Sequence, residues 1–218
     1  DLAVAWDGDF DRCFFFDHTG RFVEGEYVTA LLAEAFLARS PGECVVHDGR
    51  VIWAVQETIA RHGGQAVQAP TGHVFFKAAL RETGAIYGGE MSAHHYFRDF
   101  ACCDSGMIPW LLIAELISRR GQSLADLVAE LRAAHPSSGE INFRLPDTAP
   151  ALARVRAAFE DSALAVDTRD GLSFEFADWR FNLRSSNTEA VLRLNVETRG
   201  DPAMLTRQVS ILTGLIEG

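Results

Sequence analysis

Between residues 43 and 90 short β-prone runs alternate with helix-length amphipathic segments, and this alternation constrains the chain more than any other feature. "ECVVH" (43–47) reads as a strand, and "RVIWAVQETIARHGG" as a helix stopped by Gly63-Gly64. "QAVQA" is a second strand, "GHVFFKAALRETG" a second helix closed by Gly84, and "AIYGGE" (85–90) a strand entering a glycine-rich loop. Strand, helix, strand at these lengths is the pattern of βαβ units on a largely parallel sheet. Upstream, residues 2–6 and 13–16 are apolar runs flanking an acidic turn, which predicts strand, loop, strand. Val28, Leu31, Leu32, Ala35 and Phe36 then share one helical face between Tyr27 and Arg39, and Pro41-Gly42 ends that element. A further helix is expected from about Gly106 to Arg120. Another begins after Ser123, whose "SLAD" resembles a capping box.

"HPSSGE" (135–140) has the composition of a linker, and the rhythm changes after it. "INFRL" is a strand, "APALARVRAAFEDSA" a helix, and residues 164–197 a meander of strands with Asp170-Gly171 as a hairpin turn. An amphipathic helix follows Asp201-Pro202. The expected fold class is α/β: a mixed βαβ-type sheet domain, then a smaller α+β C-terminal domain, with a boundary near residue 136.

Charge narrows the partners. The 218 residues hold 30 Asp+Glu against 20 Lys+Arg, a formal charge of −10, so general binding to nucleic acid or an anionic membrane is excluded by like-charge repulsion. Any anion must be held by local features. Cys13, Cys44, Cys102 and Cys103 fit neither a CxxC zinc pattern nor a disulfide framework, and are expected to be free thiols in a reducing cytoplasm. No run approaches the roughly 18 apolar residues of a membrane span. The chain opens without Met, and "DLAVAW" reads as the run-in to a strand.

Four segments carry chemistry. In "DGDFDR", Asp7, Asp9 and Asp11 form a D-x-D-x-D pattern suited to a hard cation, with glycine letting the backbone curl so that the carboxylates converge. The match to an EF-hand fails, because its sixth position is Arg12 and its twelfth is His18. Three carboxylates underfill an octahedron and leave room for water and a phosphate oxygen, beside which Arg12 would place a guanidinium. An acidic surface turn is the alternative. "TGH" (71–73) stands at a strand-to-helix junction, where backbone N–H groups favour an anion and His73 would face the same cleft; a capping Thr71 with a structural His73 is the competing reading. In "GGEMSAHHYF" (88–97), Glu90, Ser92 and His94 alternate and in extended conformation face one way. A carboxylate, a hydroxyl and an imidazole suit sugar hydroxyls, and His94 can also move a proton near neutral pH. His95 would face away and be structural. In "RSSNTE" (184–189), Arg184, Ser186, Asn187 and Thr188 offer a charged fork and short donors in a turn, either a phosphate cradle or ordinary turn chemistry.

In this order, "DGDFDR", "TGH", "GEMSAH", "CDSGM" and "RSSNTE" resemble the α-D-phosphohexomutase superfamily, and the wording around them its bacterial phosphomannomutase branch (phosphomannomutase/phosphoglucomutase type). The resemblance covers nearly the whole chain. It implies residues 1–20 as the tail of the family's domain 2 with the metal loop, 21–135 as sugar-binding domain 3, and 136–218 as phosphate-binding domain 4. It also implies a C-terminal fragment, since no counterpart of the family's phosphoserine loop lies in these residues; such a loop is expected roughly 100–150 residues upstream. The implied reaction interconverts mannose 6-phosphate and mannose 1-phosphate through a bisphosphate, for GDP-mannose and polysaccharide synthesis. Implied roles are Mg²⁺ on Asp7, Asp9 and Asp11, phosphate assistance by Arg12, and hydroxyl binding by Glu90 and Ser92. His94 would transfer the proton. Arg184, Ser186, Asn187 and Thr188 would grip the second phosphate, with His73 and Arg50 also on the phosphosugar. Ala93 departs from the Gly of many relatives. Alternatives are a phosphoglucomutase or dual-specificity enzyme, or a non-catalytic phosphosugar-binding module. The isolated chain is expected to be inactive. Phe14, Phe15 and Phe16, deprived of their sheet, would leave residues 1–20 open to self-association through an edge strand.

Overall fold

The computed structural model describes residues 1–186 and 191–218. They divide into two compact units: Asp1–Asp48 with Ile52–Arg132, and Gly49–Val51 with Ala133–Gly218.

The first unit opens with β1 (Leu2–Trp6), β2 (Cys13–Asp17) and β3 (Phe22–Val23), an antiparallel sheet in that order. Alternation along β2 sends Cys13 and Phe15 into the core and Phe14 and Phe16 to the other face, where both rings meet Phe22. Phe15 is fully buried, while Phe14 and Phe16 are half-buried and β1 is an edge strand of this sheet. Next come α1 (Gly25–Leu37), β4 (Cys44–His47), α2 (Trp53–Arg61), β5 (Gln65–Gln68), α3 (His73–Thr83) and β6 (Tyr87–Gly89). The β4–α2–β5 and β5–α3–β6 crossovers make β5, β4 and β6 parallel. β7 (His95–Phe97) and β8 (Cys103–Asp104) follow through short connections and pair antiparallel, giving a mixed sheet in the order β5-β4-β6-β7-β8. Expectation and structure differ at α1. Its residues 25–33 are buried all round rather than along one stripe, because α2, α4 (Pro109–Arg120) and β6 all pack on it. α5 (Leu124–Ala134) closes the run, and Ser123 caps it by accepting from the Asp126 N–H at 3.2 Å.

The second unit is an antiparallel sheet in the order β10-β11-β12-β13-β9. Its elements are β9 (Ser137–Arg144), α6 (Ala149–Phe159), β10 (Ala165–Asp167), β11 (Leu172–Glu175), β12 (Trp179–Ser185), β13 (Val191–Thr198) and α7 (Pro202–Glu217). Phe174, Phe181, Leu183, Leu194 and Val196 from the sheet meet Val155, Leu212 and Ile216 from the helices in one dry core. "HPSSGE" is not a linker: from Ser137 onward it is the first half of β9. A register shift opposite Asn195 and Glu197 consumes the small polar residues. Ser138 Oγ accepts from the Val196 N–H at 2.9 Å, and Asn195 Nδ2 donates to the Gly139 carbonyl at 2.9 Å. Gly49–Val51 join this unit because buried Arg180, paired with Glu197 at 2.7 Å, also donates to the carbonyls of Gly49 and Arg50.

Candidate active site

Three loops of the first unit are fastened together by backbone hydrogen bonds. The acidic loop between β1 and β2 curls at Gly8 and at Phe10, which takes a left-handed φ of 62°. Trp6 Nε1 donates to the Gly106 carbonyl at 2.8 Å, and the Gly106 N–H donates to the Phe10 carbonyl at 3.1 Å. Gly106 must be glycine, since a Cβ there would lie 2.6 Å from the Phe10 oxygen and 2.7 Å from that of Arg12. An isolated bridge joins Arg12 to His94, and the Cys13 N–H donates to the Ala93 carbonyl at 3.3 Å. The segments 7–13, 90–94 and 104–106 therefore share one rigid frame.

Glu90, Ser92 and His94 converge, but not by extended alternation. Residues 90–94 form a tight turn between β6 and β7, closed by the Glu90 N–H on the His94 carbonyl (2.9 Å) and the Ala93 N–H on that of Glu90 (3.0 Å). Ala93 stands at φ 71°, which explains why glycine suits this position. Ser92 Oγ donates to Glu90 Oε2 at 3.3 Å and lies 3.1 Å from His94 Nδ1. With the hydroxyl proton on Glu90, His94 carries its own on Nδ1, and Nε2 keeps a free lone pair. Burial, then the proximity of His73 and the Arg12 guanidinium, depress the His94 pKa to about 4, so the ring is neutral at neutral pH. His95 is structural: fully buried, with Nδ1 2.7 Å from the Tyr87 hydroxyl.

His73, first residue of α3, stands edge-on to His94 with ring centroids 4.6 Å apart. Gly72, not Thr71, occupies the N-cap position. His73 Nδ1 lies 3.2 Å from Asp104 Oδ2, and His94 Nε2 3.5 Å from Asp11 Oδ2. Lys77 Nζ pairs with Asp104 Oδ1 at 3.0 Å. Sequence reasoning passed over Asp104, Lys77, Asp48 and Tyr96. His73 and Lys77 are four residues apart on one helix, a spacing that sets them on one face and could have been read. Asp48 accepts from the Met91 N–H at 2.8 Å, a long-range contact without a local signal, and Tyr96 donates to Glu90 across the turn between β6 and β7.

One oxygen each from Asp7, Asp9 and Asp11 lies within 4.8 Å of the others. Arg12 Nε holds Asp7 Oδ2 at 2.5 Å; burial resists the charge on Asp7, but this guanidinium outweighs it and keeps the carboxyl below its ordinary range. Asp11 goes the other way, raised by burial and then by the charges of Asp7, Asp9 and Asp104, and its buried Oδ1 has no hydrogen-bond partner among the described residues. Uncompensated repulsion and an orphaned oxygen are what a hard divalent cation relieves, so these residues fit Mg²⁺.

In the second unit, Arg184 and Ser185 border an open cavity of 560 Å³ that Arg156 and Arg169 also line. Arg184 Nε is buried, 3.8 Å from Asp170 Oδ1 and without a hydrogen-bond partner among the described residues. The Ser186 N–H donates to the Val191 carbonyl at 2.8 Å. Asn187 and Thr188 lie outside the described residues. Arg50 lies in the short segment Gly49–Val51 that groups with this second unit, and its buried side chain faces Glu140 at 3.8 Å.

Two family models match the chain: "Phosphoglucomutase/phosphomannomutase, alpha/beta/alpha domain III" over residues 24–134 and "Phosphoglucomutase/phosphomannomutase, C-terminal domain" over 140–213. A phosphomannomutase of Salmonella montevideo is 60% identical over 97% of the chain, which spans 47% of that relative. A solved phosphoglucomutase/phosphomannomutase family protein from Burkholderia thailandensis superposes with a TM-score of 0.80 at 30% identity, over all of this chain and 46% of that one. An Aspergillus fumigatus N-acetylphosphoglucosamine mutase, solved with GlcNAc-6P and magnesium, shares the fold at a TM-score of 0.68 and 15% identity, over 99% of this chain and 52% of that one. The chain thus spans about half the length of the curated relatives it matches. A sugar-type turn locked to an acidic loop and matches over both units lead to one conclusion: the chain belongs to the phosphoglucomutase/phosphomannomutase family.

Proposed function

We propose that this chain supplies the metal, sugar and second-phosphate sites of a phosphomannomutase, which interconverts mannose 6-phosphate and mannose 1-phosphate through a bisphosphate. The observation that carries the reading is the convergence of Glu90, Ser92 and His94 in one turn bonded to the acidic loop. Bound Mg²⁺ would screen the charge on the phosphoryl group during transfer. Asp7, Asp9 and Asp11 would hold it, and magnesium in the fungal relative supports that assignment. Arg12, anchored on Asp7, turns its remaining N–H groups to a phosphate oxygen. Glu90 accepts from hydroxyls of the hexose and Ser92 donates to them. As the attacking hydroxyl forms its O–P bond and the donor serine's O–P bond breaks, His94 Nε2 takes the hydroxyl proton, and returns it in the reverse direction. His73 adds a donor beside the same phosphoryl group. Arg184 and Ser186 take the phosphate that is not transferred, with Asn187, Thr188 and Arg50 assigned to the same ligand.

The curated relatives are about twice as long as this chain; on this reading the donor serine is assigned to the part they have beyond it, and no turnover is expected of the 218 residues alone. Its four free thiols suit a cytoplasmic enzyme feeding GDP-mannose synthesis. Among the described residues no helix is long and apolar enough to cross a membrane. The test is kcat/KM on mannose 1-phosphate and glucose 1-phosphate, side by side, with the longer protein that carries the serine. A mannose preference of at least roughly tenfold, about 1.4 kcal/mol in transition-state binding, supports the assignment. Equal values establish a dual-specificity enzyme, and turnover by the isolated chain overturns the division of labour.

A further inference from the structure

We propose that Asp11, His73, His94 and Asp104 form a second cation site, matched to a borderline divalent ion such as Zn²⁺ rather than to Mg²⁺. One ligand atom from each of the four lies within 4.8 Å of the other three. Zinc bonds of about 2.0–2.2 Å to imidazole nitrogen and carboxylate oxygen set tetrahedral ligand atoms roughly 3.3–3.6 Å apart. Two pairs already stand near that spacing, His73 Nδ1 to Asp104 Oδ2 at 3.2 Å and His94 Nε2 to Asp11 Oδ2 at 3.5 Å. The other pairs are no farther than 4.8 Å apart, and the His73 side chain is 41% exposed.

The surroundings orient these donors as a ligand set requires. Asp104 commits Oδ1 to Lys77 and turns Oδ2 to the cluster. Asp11 has Oδ1 on the side of Arg12, 3.8 Å from its Nε, and Oδ2 toward both imidazoles. Ser92 fixes the other nitrogen of His94, which leaves Nε2 directed at Asp11. Two imidazoles with two carboxylates favour zinc-group and late first-row ions, whereas the all-oxygen set of Asp7, Asp9 and Asp11 favours Mg²⁺. Asp11 is common to both sets. On the Mg²⁺ reading above, filling this site takes Asp11 from the other and occupies His94 Nε2, the nitrogen assigned to the hydroxyl proton, so the second ion competes with Mg²⁺ and inhibits the transfer.

The experiment is a titration of the tag-free 218-residue chain with Co²⁺ in the presence of millimolar Mg²⁺, followed by visible absorption and by back-titration with Zn²⁺. One Co²⁺ per chain is expected, with the intense bands of a four- or five-coordinate nitrogen/oxygen site that Zn²⁺ then abolishes. His73→Gln and, separately, Asp104→Asn should each weaken binding at least roughly tenfold. Asp9→Asn, which touches only the acidic loop, should leave the spectrum in place. Circular dichroism checks that every variant is folded, and the exposed His73 makes His73→Gln the safest. Absence of Co²⁺ bands in the wild type overturns the site. So does binding that survives His73→Gln but is lost in Asp9→Asn, which would put the ion in the acidic loop. Neither outcome touches the sugar-phosphate reading, which rests on kinetics with the longer protein.

Discussion

The Tyr96 hydroxyl donates to Glu90 Oε1 at 2.6 Å, in a pocket that leaves both side chains essentially without solvent. A buried carboxylate is tolerable only when its oxygens are satisfied, and Ser92 holds the other oxygen at 3.3 Å. Tyr96→Phe should therefore destabilise the fold by about 1–3 kcal/mol, the range for a lost hydrogen bond to a charged group. Urea unfolding measures the cost. In the longer protein the same variant should raise KM for the phosphosugar more than it lowers kcat, because it loosens the carboxylate that binds hydroxyls. An unchanged midpoint and KM would show that Glu90 is held without Tyr96.

Gly106 sets the distance between the acidic loop and the segment carrying Asp104. Gly106→Ala places a methyl 2.6 Å from the Phe10 carbonyl oxygen, with backbone on both sides and no flexible tip to yield. The expected cost is about 1–3 kcal/mol, with Mg²⁺ affinity falling because Asp9 and Asp11 flank the displaced Phe10. Thermal unfolding with and without Mg²⁺ checks it: the metal-dependent rise in midpoint should shrink in the variant.

Cys13 points into the core from β2, is 1% exposed, and burial pushes its thiol up to about 12. Thiolates, not thiols, attack alkylating reagents. Among the four free cysteines, Cys44 and Cys103 should label first under native conditions and Cys13 last, at a rate set by unfolding. Peptide mass mapping after timed iodoacetamide treatment tests this order.

Asp17 accepts from the Thr19 hydroxyl at 2.5 Å and from the Thr19 and Arg21 N–H groups at 2.8 and 3.1 Å, and these bonds, the hydroxyl first, hold its carboxyl below the ordinary 3.8. A lowered native pKa contributes stability above the unfolded value and loses it as pH falls through the native one. Asp17→Asn should thus be less stable than wild type near pH 7, with the gap narrowing as pH falls through and below the ordinary carboxylate value of 3.8. Denaturant midpoints across that window report it, and a gap independent of pH would contradict the account.

How much of this was legible in sequence follows from the range of the forces. The βαβ segment was readable because periodicity, Gly63-Gly64 and Gly84 are local signals, and the left-handed Gly84 does close α3. Ser137–Gly139 was misread because its small polar residues serve a bulge whose partner, Asn195, lies far along the chain. The candidate site divides the same way. Asp7, Asp9, Asp11, Glu90, Ser92 and His94 announce themselves by spacing. Tyr96, Asp48 and Asp104 act through contacts that exist only once the sheet has formed.

On the proposed reading these residues serve the isomerisation of mannose phosphates. ³¹P NMR of mannose 1-phosphate incubated with Mg²⁺, a trace of the bisphosphate and the longer protein tests it most directly. The mannose 6-phosphate resonance should grow to equilibrium with wild type, and at least roughly a hundredfold more slowly with His94→Ala, as expected on losing a general base. No mannose 6-phosphate from wild type, or an unchanged rate with His94→Ala, would contradict the account.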